Sequence, residues 1–260
     1  MDIQIGMIEY VIVLPLIFLA GLIDAIAGGG GLISLPAYWA AGLPPHFALG
    51  TNKFSSCCGT VFSTSSYFRA NMIDGRVAVT SAICALLGSW LGTKAVLLVS
   101  SAILNYLLIF MIPIVVIVSL IKKDIGKENK AMKFKLGYRI LLGLVAGLSI
   151  GFYDGFFGPG TGTFLILFYS IVLHYDFVMA NGNTKVVNLA SNIAAVVGFA
   201  YAGKIYFPLA IPAAICGIGG NIIGAKLVIL KGNKIIRKIF FLALGLLFMR
   251  ILYNILSPSF

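Results

Sequence analysis

Two lysines lie inside long apolar segments, each beside amide and hydroxyl side chains. Lys53 is in "GTNKF" and Lys185 is in "GNTKVVN", and both fall about two turns into a predicted helix. A lysine within a membrane segment costs a few kcal/mol or more, so a bound anion or a carboxylate should offset the charge. The alternative is that the long side chains reach the membrane surface. The pattern favours a small-anion site, with uncharged hydrogen-bonding groups supplied by Thr51, Asn52, Asn183, Thr184 and Asn188, and with Ser55, Ser56 and Ser191 extending the polar face.

Two acids precede breaks in the apolar pattern. Asp24 is in "GLIDAIAGGGG" and Asp154 is in "GFYDGFFGPGT". Glycine and proline interrupt a helix, and non-helical backbone at membrane depth persists only within protein or beside a water-filled cavity. Half-helices that begin after a break present N–H groups at a positive dipole end, which suits an anion. The predicted backbone contributors are Gly28, Gly29, Gly30, Gly158 and Gly160.

Other roles stay open for the acids and the glycines. Asp24 and Asp154 could carry a proton, pair with Lys53 or Lys185, or fix the geometry of the break by capping a helix start. Close helix packing is the alternative role for the glycines of the breaks. Packing is the role predicted for Gly88, Gly92, Gly220 and Gly224.

The same motifs occur twice in the chain. Asp24 matches Asp154 at an offset of 130 residues, and Lys53 matches Lys185 at an offset of 132. "GSWLGTKAV" then matches "GNIIGAKLV" at the second offset. Internal repeats are frequent in secondary transporters. We therefore predict two membrane repeats, 1–121 and 136–260, joined by a basic cytoplasmic linker at 122–135.

Each repeat is predicted to be all-α, with a glycine-broken helical hairpin followed by three transmembrane helices. The hairpins cover about 7–43 and 136–173. The helices of the first repeat cover about 45–67, 77–98 and 102–121. Those of the second cover about 177–200, 207–230 and 235–256.

The composition is that of a polytopic membrane protein. Hydrophobic residues make up 60% of the chain, charged residues 10%, and the mean hydropathy is +1.04. The net charge of +11 is concentrated in loops, which suits anionic lipid headgroups and not nucleic acid. The four cysteines and two histidines match no metal-site spacing. No metal and no cofactor is predicted.

Basic loops predict the orientation of the repeats. The positive-inside rule places 122–139 and 231–238 in the cytoplasm. Counting the membrane crossings of the segments between these loops then places loop 69–76 inside. The same count places its counterpart, loop 201–206, outside. Equivalent loops therefore face opposite sides, which predicts inverted repeats with both termini outside the cell membrane.

The paired motifs resemble those of the TauE/SafE family of sulfite exporters, also called the 4-toluene sulfonate uptake permease family. The resemblance rests on "GLIDAIAGGGGLISLP", "GTNKF", "GFYDGFFGPGTGTF" and "ANGNTKVVNLASN", and it covers essentially the whole chain. It implies a bacterial or archaeal inner-membrane transporter of small sulfur-containing anions, such as sulfite or organosulfonates. It also implies functional roles for the glycine breaks, both acids and the two lysine motifs.

The first functional hypothesis is a secondary transporter of a small oxyanion that works by alternating access around a site at the membrane midplane. A passive small-anion channel is the alternative, and it would need a continuous lining with weak binding at several positions. A membrane-embedded enzyme is the third hypothesis, but the sequence contains no Ser/His/Asp set, no metal cluster and no paired catalytic acids with a plausible base, so no enzyme is predicted. It also contains no nucleotide-binding loop, so an ATP-driven pump would need a partner chain. The exact substrate, the direction, the coupling ion and any homo-oligomer stay open.

Overall fold

The computed structural model describes residues 5–104, 126 and 128–232, and it is helical through most of them. Within these residues no strand occurs, which confirms the all-α prediction for this part of the chain. The helices are α1 (Met7–Ala27), α2 (Gly31–Ala40), α3 (Pro45–Arg69), α4 (Gly75–Leu98), α5 (Leu136–Phe156), α6 (Thr161–Ile171), α7 (Phe177–Tyr201) and α8 (Phe207–Lys231). A short 3₁₀ turn, Ala131–Lys133, precedes α5. Except for its first turn, the predicted helix at 102–121 lies outside the described residues, as do the predicted helix at 235–256 and residues 122–125 and 127 of the linker.

Both predicted helix breaks are present. Gly28 ends α1 in the left-handed region, with φ of 73°, and its N–H donates to the Asp24 carbonyl at 2.8 Å. Gly158, at the matching position after α5, has φ of 92°. Glycine adopts this backbone region at little cost, and it commonly ends a helix in this way. The helices that follow, α2 and α6, have only 10 and 11 residues.

The two breaks contact each other. A Cβ atom at Gly28 would lie 2.3 Å from the backbone of Gly162, at the start of α6. The N–H of Thr163 donates to the Gly28 carbonyl at 3.2 Å. Close backbone packing therefore explains why position 28 is a glycine, in addition to its positive φ.

Glycines also bring two pairs of long helices together. A Cβ atom at Gly220 of α8 would lie 2.1 Å from the Phe18 carbonyl oxygen of α1. A Cβ atom at Gly88 of α4 would lie 2.3 Å from the Leu148 carbonyl oxygen of α5. These are matching contacts in the two repeats, and both require the backbones to touch. A Cβ atom at Gly92 would lie 2.1 Å, and one at Gly224 would lie 2.5 Å, from a backbone oxygen. The packing role predicted for all four glycines is therefore confirmed.

Four of the described helices are long and apolar enough to cross a membrane: α1, α4, α5 and α8. Helices α3 and α7 are as long, at 25 residues each, but they carry the polar motifs. Helix α3 packs against α7 and α8, and α7 packs against α3 and α4. Polar side chains are accepted at membrane depth where they face other protein groups. This packing places the predicted site residues among the helices.

Candidate functional site

Each buried lysine forms an ion pair with the acid of the other repeat. Lys53 Nζ lies 2.7 Å from Asp154 Oδ1, and Lys185 Nζ lies 2.7 Å from Asp24 Oδ2. Three of the four side chains are at most 3% exposed, and that of Asp24 is 15% exposed. The lysines therefore do not reach out to the membrane surface. A carboxylate offsets the charge of each one.

The two acids occupy matching positions at the ends of helices. Asp24 lies in the last turn of α1, and Asp154 lies in the last turn of α5. A helix C-terminus carries partial negative charge, so a carboxylate there is unfavourable without a nearby cation. The ammonium groups of Lys53 and Lys185 supply that cation. Neither acid caps the helix that follows its break, because α2 and α6 both begin without a side-chain cap hydrogen bond.

The Lys53 pair has two further partners, both from α7. Lys53 Nζ donates to Asn192 Oδ1 at 3.2 Å, and the Ser191 hydroxyl donates to Asp154 Oδ2 at 2.5 Å. A Cβ atom at Gly158 would lie 3.1 Å from Lys53 Nζ, so the ammonium group lies directly beside the second break. Asn192 was not among the predicted site residues. The available signal was its position one turn beyond Asn188, on the same face of α7.

A small polar cavity adjoins the breaks, with Lys53 and both acids in its wall. It measures about 20 Å³, which is room for roughly one water molecule. Half of the predicted site residues line it: Asp24, Gly28, Asn52, Lys53, Asp154, Gly158 and Asn188. Ser56, named in the sequence as an extension of the polar face, lines it too. The lining residues that sequence reasoning missed are Gly31, Thr161, Gly162 and Asn192.

The other predicted site residues lie outside this lining: Gly29, Gly30, Thr51, Gly160, Asn183, Thr184 and Lys185. Gly30 lines a neighbouring cavity, which also contacts Asp24, Ser34, Ser55 and Asn221. Gly160 precedes α6 with φ of 82°. Thr184 is fully buried, and its hydroxyl has no hydrogen-bond partner among the described residues.

Thr51 and Asn183 hold the starts of other helices. The Tyr206 N–H, just before α8, donates to Thr51 Oγ1 at 3.0 Å. The Asp74 N–H, just before α4, donates to Asn183 Oδ1 at 2.8 Å. Backbone N–H groups at a helix start have no partner within the helix, so they need partners from elsewhere. These matching bonds across the repeats give both side chains a structural task.

Side chains of other helices satisfy the last four carbonyls of α1, residues 24–27. Lys185 Nζ donates to the Asp24 carbonyl. Asn181 Nδ2 donates to the carbonyls of residues 25 and 26, at 2.8 and 3.0 Å. Thr163 Oγ1 donates to the carbonyl of residue 27 at 3.3 Å. The final carbonyls of a helix have no partner within the helix, so these bonds fix the end of α1 beside the break.

Comparison with known proteins decides the class of the molecule. A model of the sulfite exporter TauE/SafE family matches residues 13–251, which is most of the chain. The chain belongs to the TauE/SafE family. The resemblance based on the paired motifs is therefore confirmed.

This TauE/SafE protein is similar to several relatives whose names describe transporters. A "Probable membrane transporter protein" of Haemophilus influenzae is 37% identical over 220 residues, covering 85% of each chain. "Probable membrane transporter protein YfcA" of Escherichia coli K12 is 31% identical over 236 residues, covering 91% of this chain and 87% of the relative. "Probable membrane transporter protein ORF9" of a Sinorhizobium species is 32% identical over 244 residues, covering 93% and 91%. No solved structure matches the TauE/SafE chain. It is a membrane protein of a transporter family.

Proposed function

We propose that this protein is a secondary transporter that moves small sulfur-containing anions, such as sulfite or organosulfonates, across the cell membrane by alternating access. The observation that carries the proposal is the buried Lys53–Asp154 pair, which lies in the wall of a polar cavity beside two contacting helix breaks. Membership of a sulfite exporter family supports the substrate class.

The ammonium group of Lys53 is the anion-binding group in this account. A sulfite or sulfonate oxygen has the same charge sign and hydrogen-bonding role as the Asp154 carboxylate, so it can replace that carboxylate at Lys53. Asn52, Ser56 and Asn188 also line the cavity and offer uncharged amide and hydroxyl groups. The cavity has room for roughly one water molecule, so an anion enters only when the surrounding helices move apart.

Asp154 is the proton carrier in this account. When an anion binds Lys53, the displaced carboxylate would lie beside the anion with one cation between them. Burying an unpaired charge costs several kcal/mol, and protonation of Asp154 removes that charge. Asp24 stays paired with Lys185 and holds the first break in place. The transported anion therefore moves together with a proton.

The packing of the helices supports a movement of two bodies. One body contains α1, α3 and α8, with α8 contacting the other two, and the second contains α5, α7 and α4, with α4 contacting the other two. Each body combines helices from both repeats. Both ion pairs connect one body to the other, because Lys53 and Asp24 belong to the first and Asp154 and Lys185 to the second. Rocking of the bodies would break and remake the Lys53–Asp154 pair as the site opens to alternate sides, while the Lys185–Asp24 pair stays in place.

The inverted arrangement of the repeats is part of the proposal. The matching contacts of Gly88 with Leu148 and of Gly220 with Phe18 support a two-fold relation between the repeats. At a rise of about 1.5 Å per residue, α2 and α6 each cover about half of a hydrocarbon core of roughly 30 Å. Short half-helices of this kind are typical of substrate sites in inverted-repeat transporters. In this arrangement both termini lie outside the cell.

The proposal is tested by transport in liposomes that contain the purified protein. Sulfite and sulfoacetate uptake is measured with and without a pH gradient, and after preloading the vesicles with unlabelled anion. A transporter gives saturable uptake that preloading accelerates, whereas a passive channel gives uptake without acceleration by preloading. Lys53→Met should abolish uptake. Lys226→Met is the matched control, because Lys226 is an exposed lysine of α8. Equal uptake by both variants, or no uptake by the wild type, contradicts the proposal.

A further inference from the structure

The two lysine–aspartate pairs differ in their surroundings, although their motifs match in sequence. We propose that Lys53 and Asn192 together bind the transported anion, and that Lys185 and Asn181 position the end of α1 without contacting the anion. This inference rests on the proposed anion transport, which it deepens by assigning Asn192 as a substrate-binding residue.

Lys53 and Asn192 lie together at the cavity. Asn192 is 2% exposed, its Oδ1 accepts a hydrogen bond from Lys53 Nζ at 3.2 Å, and both residues line the cavity. An amide group can donate through its nitrogen as well as accept through its oxygen. After a rotation of the amide, an ammonium group and an amide N–H can donate to neighbouring oxygens of one small oxyanion. Asp154 is close enough to take the proton that balances the added charge.

Lys185 differs from Lys53 in its contacts. Its side chain is 0% exposed and is absent from the cavity lining. Its ammonium group contacts both the carbonyl and the carboxylate of Asp24. Asn181, one turn earlier on α7, holds the next two carbonyls of α1. The donors of this group are therefore committed to the end of α1.

The sequence differs between the repeats at the two amides that make this distinction. The position that matches Asn192 is Thr60, whose hydroxyl donates to the Ser56 carbonyl of its own helix at 2.7 Å. The position that matches Asn181 is Leu49, which has no polar side-chain group. The amide that contacts the lysine at the cavity, Asn192, is thus present only beside Lys53. The amide that caps the end of α1, Asn181, is present only beside Lys185. The repeats share the ion pairs but not the groups around them.

Thiol accessibility tests the inference without requiring transport. Cys57, Cys58, Cys84 and Cys216 are first replaced by alanine, and Asn192→Cys and Thr60→Cys are then compared. The probe is a methanethiosulfonate that carries an ethylsulfonate group, a small anionic thiol reagent. We expect faster modification of Asn192→Cys than of Thr60→Cys, and we expect methanesulfonate to slow only the first. Equal rates at the two positions, or no protection by methanesulfonate, would overturn the inference.

Charge-neutral replacement of each pair gives a second readout. Lys53→Gln/Asp154→Asn and Lys185→Gln/Asp24→Asn each remove an ion pair without leaving a buried unpaired charge. The first variant should lose uptake. The second should keep the KM for sulfoacetate within about threefold while the maximal rate falls, as expected for residues that position without binding. A rise of more than about threefold in the KM for sulfoacetate of Lys185→Gln/Asp24→Asn overturns the inference. Absence of uptake by the wild type counts against the proposed function, and the thiol rates then still decide between the two lysines.

Discussion

Lys53 on α3 pairs with Asp154 on α5 at 2.7 Å, which places the cation of one repeat against the acid of the other. Lys185 and Asp24 make the reciprocal exchange. Neither repeat could therefore bury its own lysine with its own acid in this arrangement. The charge balance of the membrane interior depends on the two repeats being packed together, and the same pairs connect the two helix bodies that would move during transport.

Coupling between Lys53 and Asp154 should be visible in stability. Asp154→Asn leaves a buried lysine without its counter-ion, which typically costs about 3–5 kcal/mol. Lys53→Gln/Asp154→Asn removes both charges, so the double variant should unfold at a higher temperature than Asp154→Asn alone. Thermal unfolding in detergent measures this difference. If the stability losses of Lys53→Gln and Asp154→Asn simply add in the double variant, the two residues are not coupled.

The glycine contacts predict a sharp difference among alanine variants. In Gly88→Ala and Gly220→Ala, the new methyl group would lie within 2.3 Å of a backbone oxygen. We expect each change to destabilise the protein by about 1–3 kcal/mol or more, as overpacking usually does. Gly137→Ala is the matched control, because it is also in a helix but meets nothing within 4 Å. That control should be neutral or stabilising by up to about 1 kcal/mol.

Unfolding temperatures of the three purified variants in detergent provide the measurement. A loss of stability in Gly137→Ala as large as that in Gly88→Ala would show that helix flexibility, and not backbone contact, explains these glycines.

Thr51 and Asn183 should affect stability and not substrate affinity. Each side chain accepts one hydrogen bond from a part-buried backbone N–H at a helix start, and the loss of a hydrogen bond of this kind costs about 0.5–1.5 kcal/mol. Thr51→Ala and Asn183→Ala should therefore lower the unfolding temperature while leaving the KM for sulfoacetate unchanged. Asn188→Ala is the comparison, because Asn188 lines the cavity, and its KM should rise. A raised KM in Thr51→Ala would return that residue to the binding site.

Much of the fold could be predicted from the sequence because the helix boundaries carry local signals. Glycine clusters after Asp24 and before α6 mark both breaks, and the predicted start of α3 at residue 45 agrees with Pro45. Polar transmembrane helices were harder to predict from the sequence. Helices α3 and α7 were predicted as transmembrane helices at 45–67 and 177–200, yet neither is among the four described helices that are long and apolar enough to cross a membrane.

The site was only partly predictable because neighbours in sequence point in different directions on a helix. Thr51, Asn52 and Lys53 are consecutive, yet Asn52 and Lys53 line the cavity while Thr51 bonds to the loop before α8. Exchange of the ion pairs between repeats is a tertiary feature without a local pattern. Asn192 was missed although it ends the motif "ANGNTKVVNLASN" and lies one turn beyond Asn188, because its contact with Lys53 is visible only in the structure.

The central claim is that an anion takes the place of Asp154 at Lys53 while Asp154 takes a proton. Methanesulfonate is a suitable ligand because it stays an anion and does not itself exchange protons near neutral pH. Its binding to purified protein is followed in weakly buffered detergent solution with a pH indicator. The account predicts uptake of about one proton for each anion bound by the wild type, and no uptake by Asp154→Asn. Anion binding by the wild type without proton uptake, or unchanged uptake in Asp154→Asn, would contradict the account.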